Sequence, residues 1–286
     1  MVGETVLVVG LGEIGLALFE LLKENAYFTV YGLDLDEQKM RKIRQDYTKI
    51  PELSTMHICL PCKNQDEFAT QVAGYAKRFK PNLLIINSTV PPGTTKNIQQ
   101  VCMCPIAHSP VRGVHKSPEH MKWEIKRWTK YVGGADAKAS EAASKHFERM
   151  GLKVKKLKSC TETELAKLFE TTYRAWMISC FQEMHRISRA FEADFDDVVD
   201  FIEDTHRFRL DRPIMFPGFI GGHCLIPNTE LLIQSYDSEF LKLILKSNQK
   251  RKEEIKNKTL QKEAEKIENR VKALEKEVGE KSGECI

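Results

Sequence analysis

Short apolar runs alternate with longer polar stretches along the first 160 residues. The runs that predict buried strands lie at 6–9, before Asp34, and at 56–60, 83–87, 101–107, 130–132 and 153–157. Segments between them, such as 66–79 and 137–150, have the length and periodicity of helices. Strands that alternate with helices form parallel sheets, so the pattern predicts a doubly wound α/β domain over residues 1–160.

Near Thr161 the periodicity becomes helical throughout. Apolar residues recur every three or four positions from Leu165 to Cys180, and few helix breakers occur before Ala193. This spacing predicts one helix of about thirty residues. A shorter helix, a Pro- and Gly-rich loop and a further helical stretch are predicted at 195–203, 205–227 and from 229 onward. We expect an all-α domain over 161–245 that forms a homodimer through its long helix.

Residues 246–286 form a charged segment, with 12 Lys and Arg against 9 Glu. Apolar positions within it alternate spacings of four and three, at Leu260, Ala264, Ile267, Val271, Leu274 and Val278. Such spacing is typical of a coiled-coil seam, although this one is short. The segment therefore predicts a charged helical tail. It is either a solvated helix or a coiled coil that binds itself or another chain.

Composition and charge narrow the class of protein. A chain of 286 residues with 42% hydrophobic residues can bury one or two cores. The sequence has no signal segment and no apolar run near twenty residues, so we predict a cytoplasmic protein without a membrane span. Outside the tail the net charge is nearly neutral, which predicts no nucleic-acid partner. The eight cysteines are predicted to be reduced thiols, and no metal site is expected.

The first apolar run leads into a glycine-rich turn, Gly10-Leu11-Gly12-Glu13-Ile14-Gly15. In a strand–turn–helix unit, the first glycine permits a tight turn and the second lets the backbone approach a pyrophosphate. The third lets the helix pack closely on the sheet, and the helix N-terminus offers amides to phosphates. About twenty residues later, Asp34 can accept hydrogen bonds from a ribose and repel a 2′-phosphate. The sequence thus predicts a Rossmann domain that binds NAD in preference to NADP.

Three further segments, together with this turn, resemble the UDP-glucose/UDP-N-acetylmannosamine 6-dehydrogenases over about residues 5–245. They are the runs STVPPGTT at 88–95, ELAKL at 164–168 and GGHC at 221–224. The resemblance implies that Ser88 and Thr89 lie beside the nicotinamide half of NAD. It also implies that Lys167 points into the active site and stabilises oxyanions by its charge.

The same resemblance assigns roles to residues near the third segment. Cys224 would be a nucleophile that captures an aldehyde as a thiohemiacetal. The residues expected to bind substrate are Gly221, Gly222, His223 and Arg212. The activity implied is NAD-dependent oxidation of an alcohol on a polar, sugar-derived small molecule.

Several positions depart from the pattern of that family. Thr171 stands where the family has an Asn, and Asn228 occupies the position of a catalytic Asp four residues after the cysteine. Val111 stands where the family has the Glu associated with thioester hydrolysis. The third, UDP-binding domain of the family is also expected to be absent. Two carboxylates that would position water are thus replaced, and His108 or His115 are the candidate bases in their place.

Two other functions stay open at this stage. The segment 109–113, SPVRG, resembles the substrate loop of the β-hydroxyacid dehydrogenases, which transfer a single hydride and also use a lysine on a long helix. The Gly-Gly-His-Cys turn argues against that family, which has no need of it. A non-catalytic NAD-binding or assembly protein would explain the missing carboxylates, but Lys167 and Cys224 oppose it. Neither the substrate nor the number of electrons transferred is defined by the sequence.

Overall fold

The computed structural model describes residues 3–43, 50–114 and 116–281. The chain divides into two compact units, Met1–Leu168 and Phe169–Ile286. The sequence pattern predicts the start of the helical part near Thr161, and the boundary between the units falls at Leu168, inside the long helix. The predicted tail, 246–286, is contained within the second unit.

In the described part of the first unit, seven strands form one sheet. They are β1 (Glu4–Val9), β2 (Phe28–Leu33), β3 (Thr55–Ile58), β4 (Leu83–Ile86), β5 (Ile106–His108), β6 (Lys130–Gly134) and β7 (Val154–Lys156). Their order in the sheet is β2-β1-β3-β4-β5-β6-β7. Neighbours from β2 to β5 pair in parallel, which confirms the predicted Rossmann-like α/β fold.

The sheet departs from the prediction at its second half. β5 and β6 pair antiparallel, with Ala107 opposite Gly134, because the chain enters β6 from the carboxyl edge of β5. The strand predicted over 101–107 is also shorter than expected. Val101 ends a helix and Met103 is fully exposed, so only the residues from Ile106 onward are buried in the sheet.

Helices cover the sheet of the first unit. They are α1 (Glu13–Lys23), α2 (Glu37–Ile43), α3 (Gln65–Phe79), α4 (Thr94–Val101), α5 (Pro118–Arg127) and α6 (Ala137–Arg149). The side chains of Val6, Val8 and Ile85 are wholly buried, as expected for strands between two helical layers. The sequence pattern did not predict α5, which has only three buried side chains in ten residues. The sequence also predicts a polar helix over 37–45, and its last two positions, Arg44 and Gln45, lie outside the described residues.

The second unit, as far as it is described, contains helices and loops. Its elements are the greater part of α7 (Cys160–Ala190), α8 (Phe195–Arg209), α9 (Leu225–Ser235), α10 (Glu239–Glu254) and α11 (Lys258–Lys281). The length of α7, 31 residues, agrees with the sequence pattern. α9 begins four residues before the predicted Thr229, because Pro227 lies in the first turn, where proline fits a helix.

The tail is not a solvated helix. Ala264, Ile267 and Val271 of α11 are buried, and the last two share an apolar cluster with Phe181 of α7 and Phe195 of α8. Arg270 forms ion pairs with three acids of α8: Asp196, Asp200 and Glu203. The described part of the seam therefore packs inside its own unit, which differs from both alternatives drawn from the sequence. The side chain of Val278 lies outside the description.

No helix in the described ranges is both long enough and apolar enough to cross a membrane.

Candidate functional site

The glycine-rich turn follows β1 at the carboxyl edge of the sheet. Gly10 has φ of +88°, and a Cβ there would lie 2.6 Å from the carbonyl oxygen of Cys59. A Cβ on Gly15 would lie 1.7 Å from the carbonyl oxygen of Gly10. Both glycines are therefore required by the fold itself. Gly12 differs, because a Cβ there would have no described atom within 4 Å, so the space beside it is open to a ligand.

The amino end of α1 faces the same space. Gly12 is the residue that precedes the helix, and as a glycine it has no side chain that could cap the helix. Gly12 and Glu13 are exposed and Ile14 is half-buried. A helix N-terminus can bind anions through its amides and its dipole. It lies where β1 separates β2 from β3, which is the ligand-binding crevice of doubly wound sheets.

Asp34 lies at the end of β2, and its carboxylate is held by three donors. Oδ2 accepts hydrogen bonds from the Leu11 amide at 2.6 Å and from Lys39 Nζ at 3.2 Å, and Oδ1 accepts one from the Asp36 amide at 2.9 Å. Burial raises the pKa of Asp34, but these donations outweigh it and the pKa falls below its ordinary value. The carboxylate is therefore ionised at neutral pH.

Sequence reasoning missed Leu35, the residue after this acid. Its side chain is 86% exposed, although Leu33 two residues earlier is buried. This side chain is a large apolar group beside the candidate ribose-binding acid, which is the side of a dinucleotide where the adenine would lie. The sequence signal that could have identified Leu35 is its position directly after Asp34, the candidate ribose-binding acid.

The loop after β4 is held by a carboxylate that the sequence analysis did not single out. Glu164 Oε2 accepts a hydrogen bond from the Gly93 amide at 2.7 Å. Its Oε1 accepts from the Thr95 amide at 2.8 Å and from the Thr95 hydroxyl at 2.6 Å. Burial raises the pKa of Glu164, against the effect of these donors. Glu164 thus fixes this loop to the first turns of α7, three residues before Lys167.

His108 also joins this loop to α7, and it is not placed to act as a base. One ring nitrogen lies 3.0 Å from the carbonyl oxygen of Ser88, and the other lies 2.8 Å from the hydroxyl of Thr163. Burial lowers the pKa of His108 to about 3, so the ring is neutral. With both nitrogens engaged, His108 positions Ser88. The alternative base, His115, lies outside the described residues.

Within the first unit, the structure brings Lys167 close to the carboxyl ends of β4 and β5. Its charge contributes to the lowered pKa of both His108 and Lys130. Ser88 is buried and Thr89 half-exposed at this edge, so the residues predicted to flank the nicotinamide lie near the predicted catalytic lysine.

Lys130 is a buried lysine beneath the loop that follows β5. Its Nζ donates to the carbonyl oxygens of Ser109 and Pro110, at 2.8 and 3.1 Å. Burial is the largest cause that lowers its pKa, and with the nearby charges of Lys167 and Arg112, and against the opposite effect of Cys59, the pKa falls to about 7. Lys130 therefore holds the loop that begins at Ser109.

Val111, in the same loop, belongs to an apolar cluster. It is buried and packs in the cluster that contains Met121 and Ile125 of α5. A carboxylate at this position would lose its hydration, which is costly without a partner. Val111 therefore contributes to the core and offers no group for proton transfer.

In the second unit, Cys224 directly precedes α9. Gly222, with φ of +78°, adopts a conformation that favours glycine, and Gly221, Gly222 and His223 are exposed. Cys224 is half-buried, is not in a disulfide, and accepts a hydrogen bond from the Asn228 amide through its carbonyl at 3.0 Å. Cys224 therefore lies at the end of an exposed turn.

Two of the departures from the family pattern contact one another. The side-chain amide of Asn228 donates to the hydroxyl of Thr171 at 3.2 Å, and both residues are buried. These two neutral side chains thus hydrogen-bond to each other, and neither is a carboxylate. Arg212 is exposed in the loop after α8, and its guanidinium bonds to the neighbouring Asp211.

Comparison with known proteins identifies relatives of this chain. Residues 161–250 match the central domain of the UDP-glucose/GDP-mannose dehydrogenase family. The UDP-N-acetyl-D-mannosamine dehydrogenase of Methanocaldococcus jannaschii is 26% identical over 263 residues, which cover 78% of this chain and 60% of that protein. The chain thus spans about 60% of the length of this relative.

Solved structures share the fold. That of the UDP-D-ManNAc dehydrogenase from Pyrococcus horikoshii has a TM-score of 0.70 at 20% identity, and the match covers 98% of this chain and 72% of that one. That of 3-hydroxyisobutyrate dehydrogenase from Mycobacterium tuberculosis has a TM-score of 0.63 at 15% identity. It covers 89% of this chain and 94% of that chain.

The buried Lys130 predicts a specific dependence of stability on pH. Between its pKa of about 7 in the folded protein and its ordinary value of 10.5, the unfolded chain binds more protons. The free energy of unfolding should therefore rise with pH in this window, by up to about 1.4 kcal/mol per pH unit from this group. Urea unfolding at pH 7 and pH 9 measures the rise.

Lys130→Met should reduce this rise, whereas Lys138→Met, which removes an exposed lysine of α6, should leave it unchanged. Other groups that titrate in the window are common to all three proteins, so the difference between them reports Lys130 alone. An equal rise in the native protein and in Lys130→Met would contradict the assignment.

Proposed function

We propose that this chain, a relative of the UDP-glucose/GDP-mannose dehydrogenases, is an NAD-dependent oxidoreductase that oxidises an alcohol group of a sugar-derived substrate. The observation that carries the proposal is the crevice beside Gly12. There the N-terminus of α1, an ionised Asp34 and an exposed Leu35 lie along one edge of a Rossmann-like sheet. The match of residues 161–250 to the family's central domain supports it independently.

The residues at this edge fit a dinucleotide in order. The amides of Glu13, Ile14 and Gly15 would bind the pyrophosphate, and Asp34 would bind the adenosine ribose. Leu35 would cover the adenine, and Ser88 and Thr89 would flank the nicotinamide. NAD would supply the acceptor for the hydride that leaves the alcohol carbon. The chain's own part is to hold this acceptor and to orient the substrate.

Lys167 and Cys224 are the residues that we assign to catalysis. Lys167 would stabilise an oxyanion on the substrate by its charge, supported by its position one turn after Glu164. The Cys224 thiol would attack an aldehyde product, with Gly221, Gly222 and His223 forming its turn and Arg212 contacting the substrate's anionic group. Asn228 would act at this position only as a neutral hydrogen-bonding residue, since it already bonds Thr171.

The absent carboxylates limit how far the oxidation can go. Val111 is part of an apolar cluster, and Asn228 cannot accept a proton as an aspartate would. Water that attacks a thioester needs a base to take its proton. We therefore infer that the reaction stalls at an acyl-enzyme or ends at the aldehyde.

A second candidate is a β-hydroxyacid dehydrogenase that makes one hydride transfer. The observation that favours it is that Val111 and Asn228 offer no carboxylate for hydrolysis of a thioester, whereas a single hydride transfer forms no thioester. The exposed Gly-Gly-His-Cys turn favours the first candidate. A third alternative, a non-catalytic NAD-binding or assembly protein, would bind dinucleotide without any turnover.

We also propose that the chain forms a homodimer through α7. One face of this helix packs inside the second unit through residues such as Ala175 and Ile178. A different face carries exposed apolar side chains at helical spacing: Phe169, Tyr173, Met184, Ile187 and, one residue past the helix, Phe191. Exposed apolar stripes of this kind mark protein interfaces. A second copy of α7 carries the same stripe, so the two exposed stripes would bury each other in a homodimer.

The dinucleotide assignment is tested at Gly12. Gly12→Ala should leave the fold intact, because the added methyl group meets no described atom within 4 Å. It should weaken NADH binding at least about tenfold by displacing the pyrophosphate from the helix amides. NADH fluorescence titration measures the affinity and thermal unfolding checks the fold.

The matched control is Gly74→Ala in α3, where an added Cβ also meets no described atom. It should leave NADH binding unchanged. If Gly12→Ala binds NADH as tightly as the native protein, the pyrophosphate does not lie on this turn.

The catalytic assignment predicts incomplete turnover. The protein is assayed with NAD against a panel of nucleotide sugars, free sugars and hydroxyacids. We expect a nucleotide sugar to be accepted and to give a burst of NADH followed by a slow phase. Intact-mass spectrometry should then find substrate attached to the native protein and to Cys180→Ala, but not to Cys224→Ala.

Rapid, steady release of two NADH per substrate would contradict the inferred loss of hydrolysis. One NADH per hydroxyacid, with no adduct and equal turnover in Cys224→Ala, would favour the second candidate. Binding of NADH without turnover on any substrate would favour the third.

The dimer is tested on the exposed face of α7. Ile187→Glu places a charge within the stripe and should convert a dimer into a monomer, as measured by light scattering. Lys252→Glu, at an exposed position of α10, is the control and should remain dimeric. A native chain that is monomeric at micromolar concentration would refute the proposed interface.

A further inference from the structure

A chain of hydrogen-bonded polar side chains runs through the core of the first unit. Asn87 Nδ2 lies 3.0 Å from His57 Nδ1, and His57 Nε2 lies 2.9 Å from His146 Nε2. His146 Nδ1 in turn lies 2.8 Å from Glu4 Oε2. Asn87, His57 and His146 are 2%, 0% and 1% exposed. Because buried polar groups are costly without partners, each of these contacts is needed by the others.

This chain connects the two edges of the sheet. Glu4 is the first residue of β1, and Asn87 directly follows β4 at the carboxyl edge, one residue before Ser88. His57 lies between them on β3 and contacts His146 of α6. At the amino edge, Glu4 and His146 line a pocket of about 530 Å³, and the Glu4 side chain is 13% exposed. Protons from solvent therefore reach one end of the chain, and the loop after β4 begins at the other.

The contacts determine where the hydrogens of the two rings lie. Asn87 Nδ2 also donates to the carbonyl oxygen of Ile85 at 3.3 Å, so this nitrogen, and not Oδ1, faces His57. His57 Nδ1 is therefore an acceptor, and the hydrogen of its neutral ring is on Nε2, which donates to His146. The hydrogen of His146 is then on Nδ1 and is donated to Glu4. Among the described residues, Asn87 Oδ1 has no hydrogen-bond partner.

The surroundings of the two rings favour a proton on His146 and oppose one on His57. Burial lowers the pKa of His57 well below its ordinary value, and the charges of His146 and of Lys130 on β6 lower it further, so His57 stays neutral. Burial raises the pKa of Glu4, but its bonds to His146 and Arg149 outweigh burial, and the pKa falls. His146 thus lies against an ionised carboxylate. The remaining neighbours are the charged Lys138, Glu141 and Lys145 of α6 and the uncharged Phe28 of β2, Thr55 of β3 and Phe147 of α6.

A proton added to His146 changes every hydrogen bond of this chain. His146 then carries a hydrogen on both ring nitrogens, so its Nε2 donates to His57 and no longer accepts. Because His57 stays neutral, its single hydrogen is then on Nδ1, where it faces the amide nitrogen of Asn87, which is also a donor. A half-turn of the Asn87 amide removes this conflict, because it brings the unpaired Oδ1 to His57. The change takes up one proton from solvent.

We propose that His146, acting through His57, is a positioning residue for the loop after β4, and that dinucleotide binding is coupled to release of a proton at the amino edge of the sheet. With both rings neutral, Asn87 Oδ1 is free to accept a hydrogen bond from a bound group. With His146 protonated, Oδ1 bonds His57, and the amide beside Ser88 has turned. The neutral state is therefore the one that binds the dinucleotide, so the affinity falls as the pH falls. This inference rests on the proposed dinucleotide site and adds to it a dependence on one proton.

The hydrogen positions are tested on the native chain by nitrogen NMR of its histidine rings, which distinguishes a protonated from an unprotonated ring nitrogen. We expect His57 Nδ1 to be unprotonated at about pH 8 and protonated at about pH 5, the range in which histidines titrate. Glu4→Gln removes the carboxylate beside the protonated ring and should move this change to lower pH. A His57 ring that keeps its hydrogen on Nε2 at both pH values would overturn the proposal.

The effect on binding is tested by NADH fluorescence titration of the full chain at the same two pH values. The native protein should bind NADH about fivefold more weakly at the lower pH, which is the effect of one neutral hydrogen bond. His146→Gln can still accept from His57 and donate to Glu4 but does not titrate, so it should lose this dependence. His120→Gln, at a partly exposed histidine of α5, is the control and should keep it. Thermal unfolding checks the fold of each variant.

The two measurements separate this inference from the proposed function. If NADH binds equally at both pH values, or if His146→Gln keeps the pH dependence of the native protein, the coupling is refuted and the dinucleotide site remains. If the native chain binds no NADH at either pH, the dinucleotide site is refuted and the coupling fails with it.

Discussion

The carboxylate of Glu164 is the interaction on which the carboxyl edge of the sheet depends. It is buried and accepts three hydrogen bonds, from two amides and one hydroxyl of the loop after β4. A buried carboxylate that lost these partners would be costly to keep, so the loop and the start of α7 are held together. Through this contact a residue about 70 positions away in the chain orders both the loop after β4 and the first turns of the helix that carries Lys167.

The second unit depends on a comparable buried charge. Arg251 of α10 is fully buried, and its guanidinium bonds the Gln182 carbonyl and a ring nitrogen of His185, both on α7. The other nitrogen of that ring bonds Glu263 of α11. The network explains why the strongly charged segment 246–281 is a structural part of the unit. Charged side chains of this segment bond to partners on α7 and α8, and its apolar seam packs into the core formed by those two helices.

The departures from the relatives are consistent with one another. Val111 joins an apolar cluster, and Asn228 and Thr171 pair as neutral donor and acceptor. The side chains at these three positions are neutral and packed or hydrogen-bonded within their own units. The chain is therefore built as a stable protein without these acids, which is why we infer a reaction that ends before hydrolysis of a thioester. In the proposed reaction, Lys167 and Cys224 are the groups that would act on the aldehyde.

The sequence by itself determined the features that arise from local patterns. Strands β1, β3 and β4, the turn from Gly10 to Gly15, Asp34 and the length of α7 follow from periodicity and from residue types that only certain turns accept. Tertiary structure decided the antiparallel β6, the packing of α11, the clamp by Glu164 and the pairing of Lys39 with Asp34. Each of these depends on contacts between elements, which hydropathy alone does not encode. The same spacing of apolar residues in α11 is compatible with a partner helix or with its own core, and only the position of α8 selects between them.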